Sequence, residues 1–73
     1  MYRNASDDIC IKLSKRECET LRLLIQGETQ AQIANRLGIS RRMVNRHIES
    51  LRKKTNTKST IAAVAYAIRR GLI

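Results

Sequence analysis

The sequence predicts an all-α domain of four short helices, the second and third joined as a helix-turn-helix. Three observations carry that prediction. From Cys18 onward the apolar residues recur three and four positions apart, the spacing of one helix face. Each such stretch opens on Ser14, Thr29, Ser40 or Ser59 and closes on Gly27, Gly38, Asn56 or Gly71, residue types that start and stop helices. Between the second and third stretches lies the corner Leu37-Gly38-Ile39-Ser40. There Gly38 can take the left-handed conformation that ends a helix, Ile39 can pack back, and Ser40 can cap the third helix.

Residues 1–12 read as a flexible lead and residues 13–73 as the domain. Within the lead, Asp7 and Asp8 precede Ile9 and Ile11, which with Leu13 alternate as a short extended segment laid on the core. Ser14 opens the first helix, and Ser14 with Glu17 has the spacing of a capping box. Cys18, Leu21, Leu24 and Ile25 share its inner face, and the helix is expected to stop near Gln26 with Gly27 after it. Its task is packing.

The second helix, about 29–37, is the scaffold of the helix-turn-helix. Thr29 and Gln32 repeat the capping-box spacing, and Ile33, Ala34 and Leu37 supply the inner face. Ala34 is small enough for two helices to cross closely. The start of this helix, at Thr29 and Gln30, offers unpaired N–H groups and partial positive charge, which suit a phosphate.

The third helix, about 41–55, sorts its residues most sharply. Val44, Ile48, Leu51 and Thr55 form one stripe at about 100° per residue. Arg42, Asn45, Arg46, Glu49 and Lys53 cluster on the opposite side. Arginine and asparagine make paired contacts to guanine and adenine edges in the major groove, and glutamate accepts from the cytosine amino group. Arg42, Asn45, Arg46 and Glu49 are therefore the candidate base readers. Arg52 and Lys53 are candidates for phosphate contacts that do not depend on sequence.

Charge supports this reading. The chain of 73 residues carries a net charge of +9, and between Arg36 and Lys58 eight lysines or arginines stand against one glutamate. A basic stripe along one helix suits a polyanion. A membrane surface would attract it too, but the charged face has no Trp or Phe to insert beside it. No apolar run reaches the ~18 residues of a spanning helix, and the N-terminus has no signal-peptide block. The expected location is the cytoplasm. Cys10 and Cys18 are too few for a disulfide framework or a zinc site. His47 stands without a catalytic constellation, and no glycine-rich phosphate loop is present. An enzyme, a cofactor, a metal and a small-molecule ligand are not expected.

The fourth helix, about 60–70, reads TIAAVAYAIRR and is apolar nearly all round. Ile61, Val64, Ala65 and Ile68, continued by Leu72, make one stripe that should face the core. Ala62, Ala63 and Tyr66 lie beyond it. A helix apolar on more than one side must be covered on more than one side. In so small a domain the second cover is another molecule, so Ala62, Ala63 and Tyr66 are the expected dimer interface. A small core also gains stability from a partner subunit.

The segment LSKRECETLRLLIQGETQAQIANRLGISRRMVNRHIESLRKKTNTKS, followed by AVAYAIRRGLI, resembles the LuxR-type (GerE- or FixJ-type) DNA-binding domain of bacterial transcription regulators. The resemblance runs from Leu13 to Ile73. It rests on SKREC and the leucines after it, QIANRLGIS, Val44 with His47, Lys54, and AVAYAIRRGL. It implies a four-helix domain that binds double-stranded DNA as a homodimer on a two-fold symmetric site, with the third helix in the major groove and the fourth at the two-fold contact. By position, Asn45, Arg46 and Glu49 match base-reading sites, with Arg42 close by. Ser40, Arg41, His47, Lys54 and Lys58 match positions that face or lie near phosphates, and Thr29 and Gln30 match the backbone-contacting start of the scaffold helix. A regulator of this type would sit on the nucleoid, with RNA polymerase a candidate further partner.

Three departures stand out. Met43 replaces a usual threonine, and Gln32 replaces a usual glutamate. Thr55-Asn56-Thr57 replaces a leucine-glycine-valine type of corner, which removes two apolar contacts between the third and fourth helices. Relatives of this type usually carry an N-terminal receiver or ligand-binding domain. The chain is thus expected to be either a free-standing output domain or a piece of a longer protein. Two other readings share the pattern: region four of a sigma factor, disfavoured by the alanine-rich last helix, and an interaction module that inhibits a related regulator through that helix. RNA binding is disfavoured because the reading face has no aromatic side chains for stacking.

Overall fold

The computed structural model describes residues 13–71. Among the described residues the secondary structure is four helices: α1 (Lys15–Ile25), α2 (Gln30–Leu37), α3 (Arg41–Thr55) and α4 (Thr60–Arg69). Among the described residues the fold class is all-α, with α2 and α3 joined as a helix-turn-helix. The lead expected over residues 1–12, and Leu72 at the other end, lie outside the described residues.

Every helix begins on its expected cap. The Ser14 and Thr29 side chains accept from the backbone N–H of Glu17 and Gln32, and those two side chains accept from the cap N–H groups in return. Ser40 and Ser59 accept from Met43 and Ala62. The first three helices also end alike, with Gly27, Gly38 and Asn56 at φ of 89°, 69° and 56°. In each case the next residue's N–H reaches back to a carbonyl of the last turn: Glu28 to Leu23, Ile39 to Ala34, Thr57 to Arg52. This is the Schellman closure. It lets eight-residue α2 stop and α3 start within Gly38, Ile39 and Ser40.

The core lies in two clusters, and α3 joins them. Val44 and Ile48 pack with Ile33 and Ala34, flanked by Leu23, Leu24, Leu37 and Ile39. Leu51, one turn on, packs with Leu13, Leu21 and Ala67, flanked by Cys18, Leu24 and Ile25. The stripe on α3 is therefore the inner face, as its spacing predicts.

Two polar residues of α1 are buried for reasons the pattern does not announce. Thr20 is fully buried, and its hydroxyl donates to the Arg16 carbonyl at 2.8 Å. Glu17 is buried as well, and Lys54 meets it from α3, Nζ to Oε1 at 2.8 Å.

The corner after α3 keeps its shape by different chemistry from the apolar contacts it lacks. Thr55 is buried, donates its hydroxyl to the Leu51 carbonyl at 2.8 Å, and shares a 2.9 Å hydrogen bond with the Thr57 hydroxyl. Arg52 Nη1 donates to the Lys58 carbonyl at 3.2 Å, which clasps the loop from the other side.

The rotation of α4 departs from expectation. Ala63 and Ala67 face inward, 2% and 0% exposed, whereas Ile61 and Ile68 of the expected core stripe are 81% and 57% exposed. Val64 and Ala65 are half-buried. Ala67 packs with Leu51 and Leu21, and its small side chain lets the α4 backbone approach them closely. An isoleucine in its place would hold the helix away.

Candidate nucleic-acid interface

The burial of Val44, Ile48 and Leu51 fixes how α3 is turned, and so fixes what it presents outward. Arg42, Asn45, Arg46 and Glu49 are all exposed, as are Arg41 and Lys53. Their common face carries four arginine or lysine side chains and one glutamate. Asn45 Nδ2 lies 3.4 Å from Glu49 Oε2, a long contact that sets the amide and the carboxylate side by side. Such a surface offers donors and an acceptor on a rigid rod narrow enough for the major groove.

Around it the expected phosphate-facing residues divide. Thr29, Ser40, Arg41, Lys53 and Lys58 are exposed, and Gln30 is half-buried. At the start of α2, the capping box uses the N–H groups of Thr29 and Gln32. The N–H groups of Gln30 and Ala31, in the first turn, fall outside the helix's own ladder and point out along its axis. The N-terminus of α2 lies at the far end of that eight-residue helix from the Gly38 corner, which leads into α3.

Three of the residues expected at phosphates are also partly taken up within the chain. Lys54 pairs with Glu17, an ion pair between α3 and α1, while its own side chain stays 38% exposed. Arg52 is half-buried and holds the Lys58 carbonyl, so it clasps the corner to α4. His47 is half-buried, and its Nε2 is covered and makes no hydrogen bond, which takes that nitrogen away from a phosphate. Arg36, counted with the basic stretch, is paired with Glu28 at 3.0 Å. Sequence reading counts these charges but cannot see their partners, because Glu17 lies 37 positions from Lys54.

Burial opposes the charge on Glu17 and by itself pushes its pKa up. Hydrogen bonds from Lys54, from the Ser50 hydroxyl and from the Ser14 N–H, with the positive charge of Lys54, outweigh it and bring the pKa down to about 2. Glu17 is therefore an ionised tie between α1 and the C-terminal half of α3.

On α4 the expected interface is corrected at one position. Ala63 is buried inside the chain and cannot meet a partner, while Ala62 and Tyr66 are half-buried. Tyr66 is partly covered by Arg70, whose guanidinium lies 5.0 Å from the ring centre. The exposed apolar side chains are Ile61 and Ile68, seven residues apart and so on one side of the helix.

The sequence matches the luxR family of bacterial regulatory proteins over residues 12–67. The chain belongs to that family. It is 41% identical over 63 residues to the regulatory protein SdiA of Escherichia coli (strain K12), covering 86% of this chain and 26% of SdiA. It is 41% identical over 59 residues to the nitrate/nitrite response regulator protein NarP of the same organism, covering 81% of this chain and 27% of NarP. A third relative there, the uncharacterized response regulatory protein YgeK, is 37% identical over 70 residues, covering 96% of this chain and 46% of YgeK. The chain spans about a quarter to a half of the length of these relatives. The luxR family comprises DNA-binding transcription regulator domains, not a class of enzymes.

Proposed function

We propose that this chain reads a specific sequence of double-stranded DNA as a homodimer, with α3 in the major groove, and thereby regulates transcription. The observation that carries the reading is the outward set Arg42, Asn45, Arg46 and Glu49 on a helix whose other face is locked in the core. Arg41, Lys53, Lys58, Ser40 and the α2 N-terminus at Thr29 and Gln30 would hold phosphates on either side. Phosphate contacts position such a domain and base contacts specify its site. Exposed Ile61 and Ile68, with Ala65 between them, form an uncovered apolar strip on α4, and a second copy related by two-fold symmetry would cover it. Two copies so paired would read a symmetric site.

A regulator of this kind acts on the nucleoid in the cytoplasm, with RNA polymerase the machinery its binding helps or blocks. No helix among the described residues is long and apolar enough to cross a membrane. An inhibitor that only pairs with a related regulator would use the same α4 strip but would have no use for an exposed set of base readers.

The deciding experiment selects bound duplexes from a random pool and then compares Arg46→Ala with Lys53→Ala. Arg46→Ala should lose about 1–3 kcal/mol of preference at one base pair in each half-site. Lys53→Ala should weaken all sequences alike and flatten the dependence on salt. An Arg46→Ala variant that keeps the parent's ratio of selected to scrambled duplex would refute the base-reading role, and a selected motif without two-fold symmetry would refute the dimer.

A further inference from the structure

Among the described residues three large apolar side chains are exposed, and two of them, Ile61 and Ile68, belong to α4. The third is Met43, 38% exposed, in the first turn of α3. It belongs to neither core cluster and is not among the partly buried residues that flank them. Arg42 precedes it and Arg46 follows one turn later, so a flexible thioether side chain stands at the edge of an otherwise charged and polar surface. Its backbone is held firmly, since the Met43 N–H donates to Ser40 Oγ at 3.1 Å.

The first turn of a reading helix is the part that reaches base edges. The major groove offers donors and acceptors at every base pair, and one distinctly apolar group, the 5-methyl of thymine. Met43 cannot donate a hydrogen bond, and its soft, unbranched side chain adapts its shape to an apolar contact. We infer that Met43 is a specificity-determining residue that reads a thymine methyl group, beside the hydrogen-bonding set Arg42, Asn45, Arg46 and Glu49. The inference rests on the DNA-reading function proposed above and adds a base preference that those four side chains do not supply.

The test uses the duplex obtained by selection, with each thymine replaced in turn by deoxyuridine, which removes the methyl and leaves every hydrogen-bonding group in place. At one thymine in each half-site the parent should bind about fourfold more weakly, the effect of uncovering one methyl-sized apolar group. Met43→Ala, which should fold like the parent because the side chain is exposed, should bind thymine and uridine duplexes equally. Met43→Leu should keep the discrimination, and Met43→Gln, of similar length but polar, should lose it. If no uridine replacement weakens the parent, or if Met43→Ala loses as much as the parent at the same position, Met43 does not read the methyl. A parent that binds selected and scrambled duplexes alike would instead overturn the DNA-reading function itself, and this inference with it.

Discussion

Helices α3 and α4 both open on a serine cap, and Leu51 of the one packs with Ala67 of the other, yet their orientations arise from different physics. On α3, charged side chains occupy most of one side, and burying any of them unpaired would cost more than the whole stripe could return. Charge therefore decides the rotation, and the pattern is plain to read. Between Thr60 and Ile68 of α4 there is no charge at all. Burial of any side would satisfy the hydrophobic effect, and close packing decides instead. Ala63 and Ala67 face in because α4 can come nearest the core there, and Ile61 and Ile68 are left out. Hydrophobic periodicity orients a helix when its polar side forbids the alternatives, and loses that power when no side is forbidden.

Four experiments press on this contrast, the largest effect first. Leu51→Ala, at the place where α3 meets α1 and α4, should cost about 2–5 kcal/mol through the cavity it leaves. Urea unfolding would record it, and a loss under about 1 kcal/mol would mean that Leu51 is not central to the core.

Glu17→Gln, which removes the ionised tie between α1 and α3, should cost on the order of 2 kcal/mol at neutral pH. Because the folded carboxylate titrates at about 2 instead of the ordinary 4.5, its contribution is complete above about pH 4.5 and is lost as pH falls toward 2. Urea midpoints followed through that interval should fall for the parent and stay flatter for Glu17→Gln. Parallel curves would show that the tie does not link stability to pH.

Ala67→Leu should destabilise the single chain by about 1–3 kcal/mol by overpacking a position that is fully buried. The stripe read from spacing makes the opposite prediction, that an added apolar group at Ala67 is harmless. Thermal unfolding of the variant separates the two.

The smallest effect on the chain itself belongs to Ile61→Ser with Ile68→Ser. Folding should change by no more than about 0.5 kcal/mol for each, since both side chains are largely in solvent. Self-association should nevertheless fall, together with binding to a two-fold symmetric duplex. Sedimentation that shows the same association before and after the change would place the dimer contact elsewhere.

The same two helices separate what can be read from residues from what cannot. Helix boundaries were legible because caps are local: Ser14, Thr29, Ser40 and Ser59 each bond to a backbone N–H three residues away. The outward face of α3 was legible for the same reason, since it comes from a repeat within one helix. The roles of Lys54, Arg52 and His47 were not. Each carries a group suited to phosphate, and each meets surroundings that only folding supplies: the Glu17 carboxylate, the Lys58 carbonyl, and the cover over His47 Nε2. The resemblance implies a loss of apolar contacts at Thr55-Asn56-Thr57, and the hydroxyl pair that stands there depends on the turn bringing Thr55 and Thr57 to 2.9 Å.

By itself the sequence determined the four helices, their caps and the outward polar face of α3, because these depend on interactions within a few residues of one another. Tertiary structure decided which basic side chains remain outward and which side of α4 stays bare. Those outcomes depend on how closely two helices approach and on which distant carboxylate or carbonyl stands opposite. Side-chain size and long-range pairing set them, and neither is carried by the period of a helix.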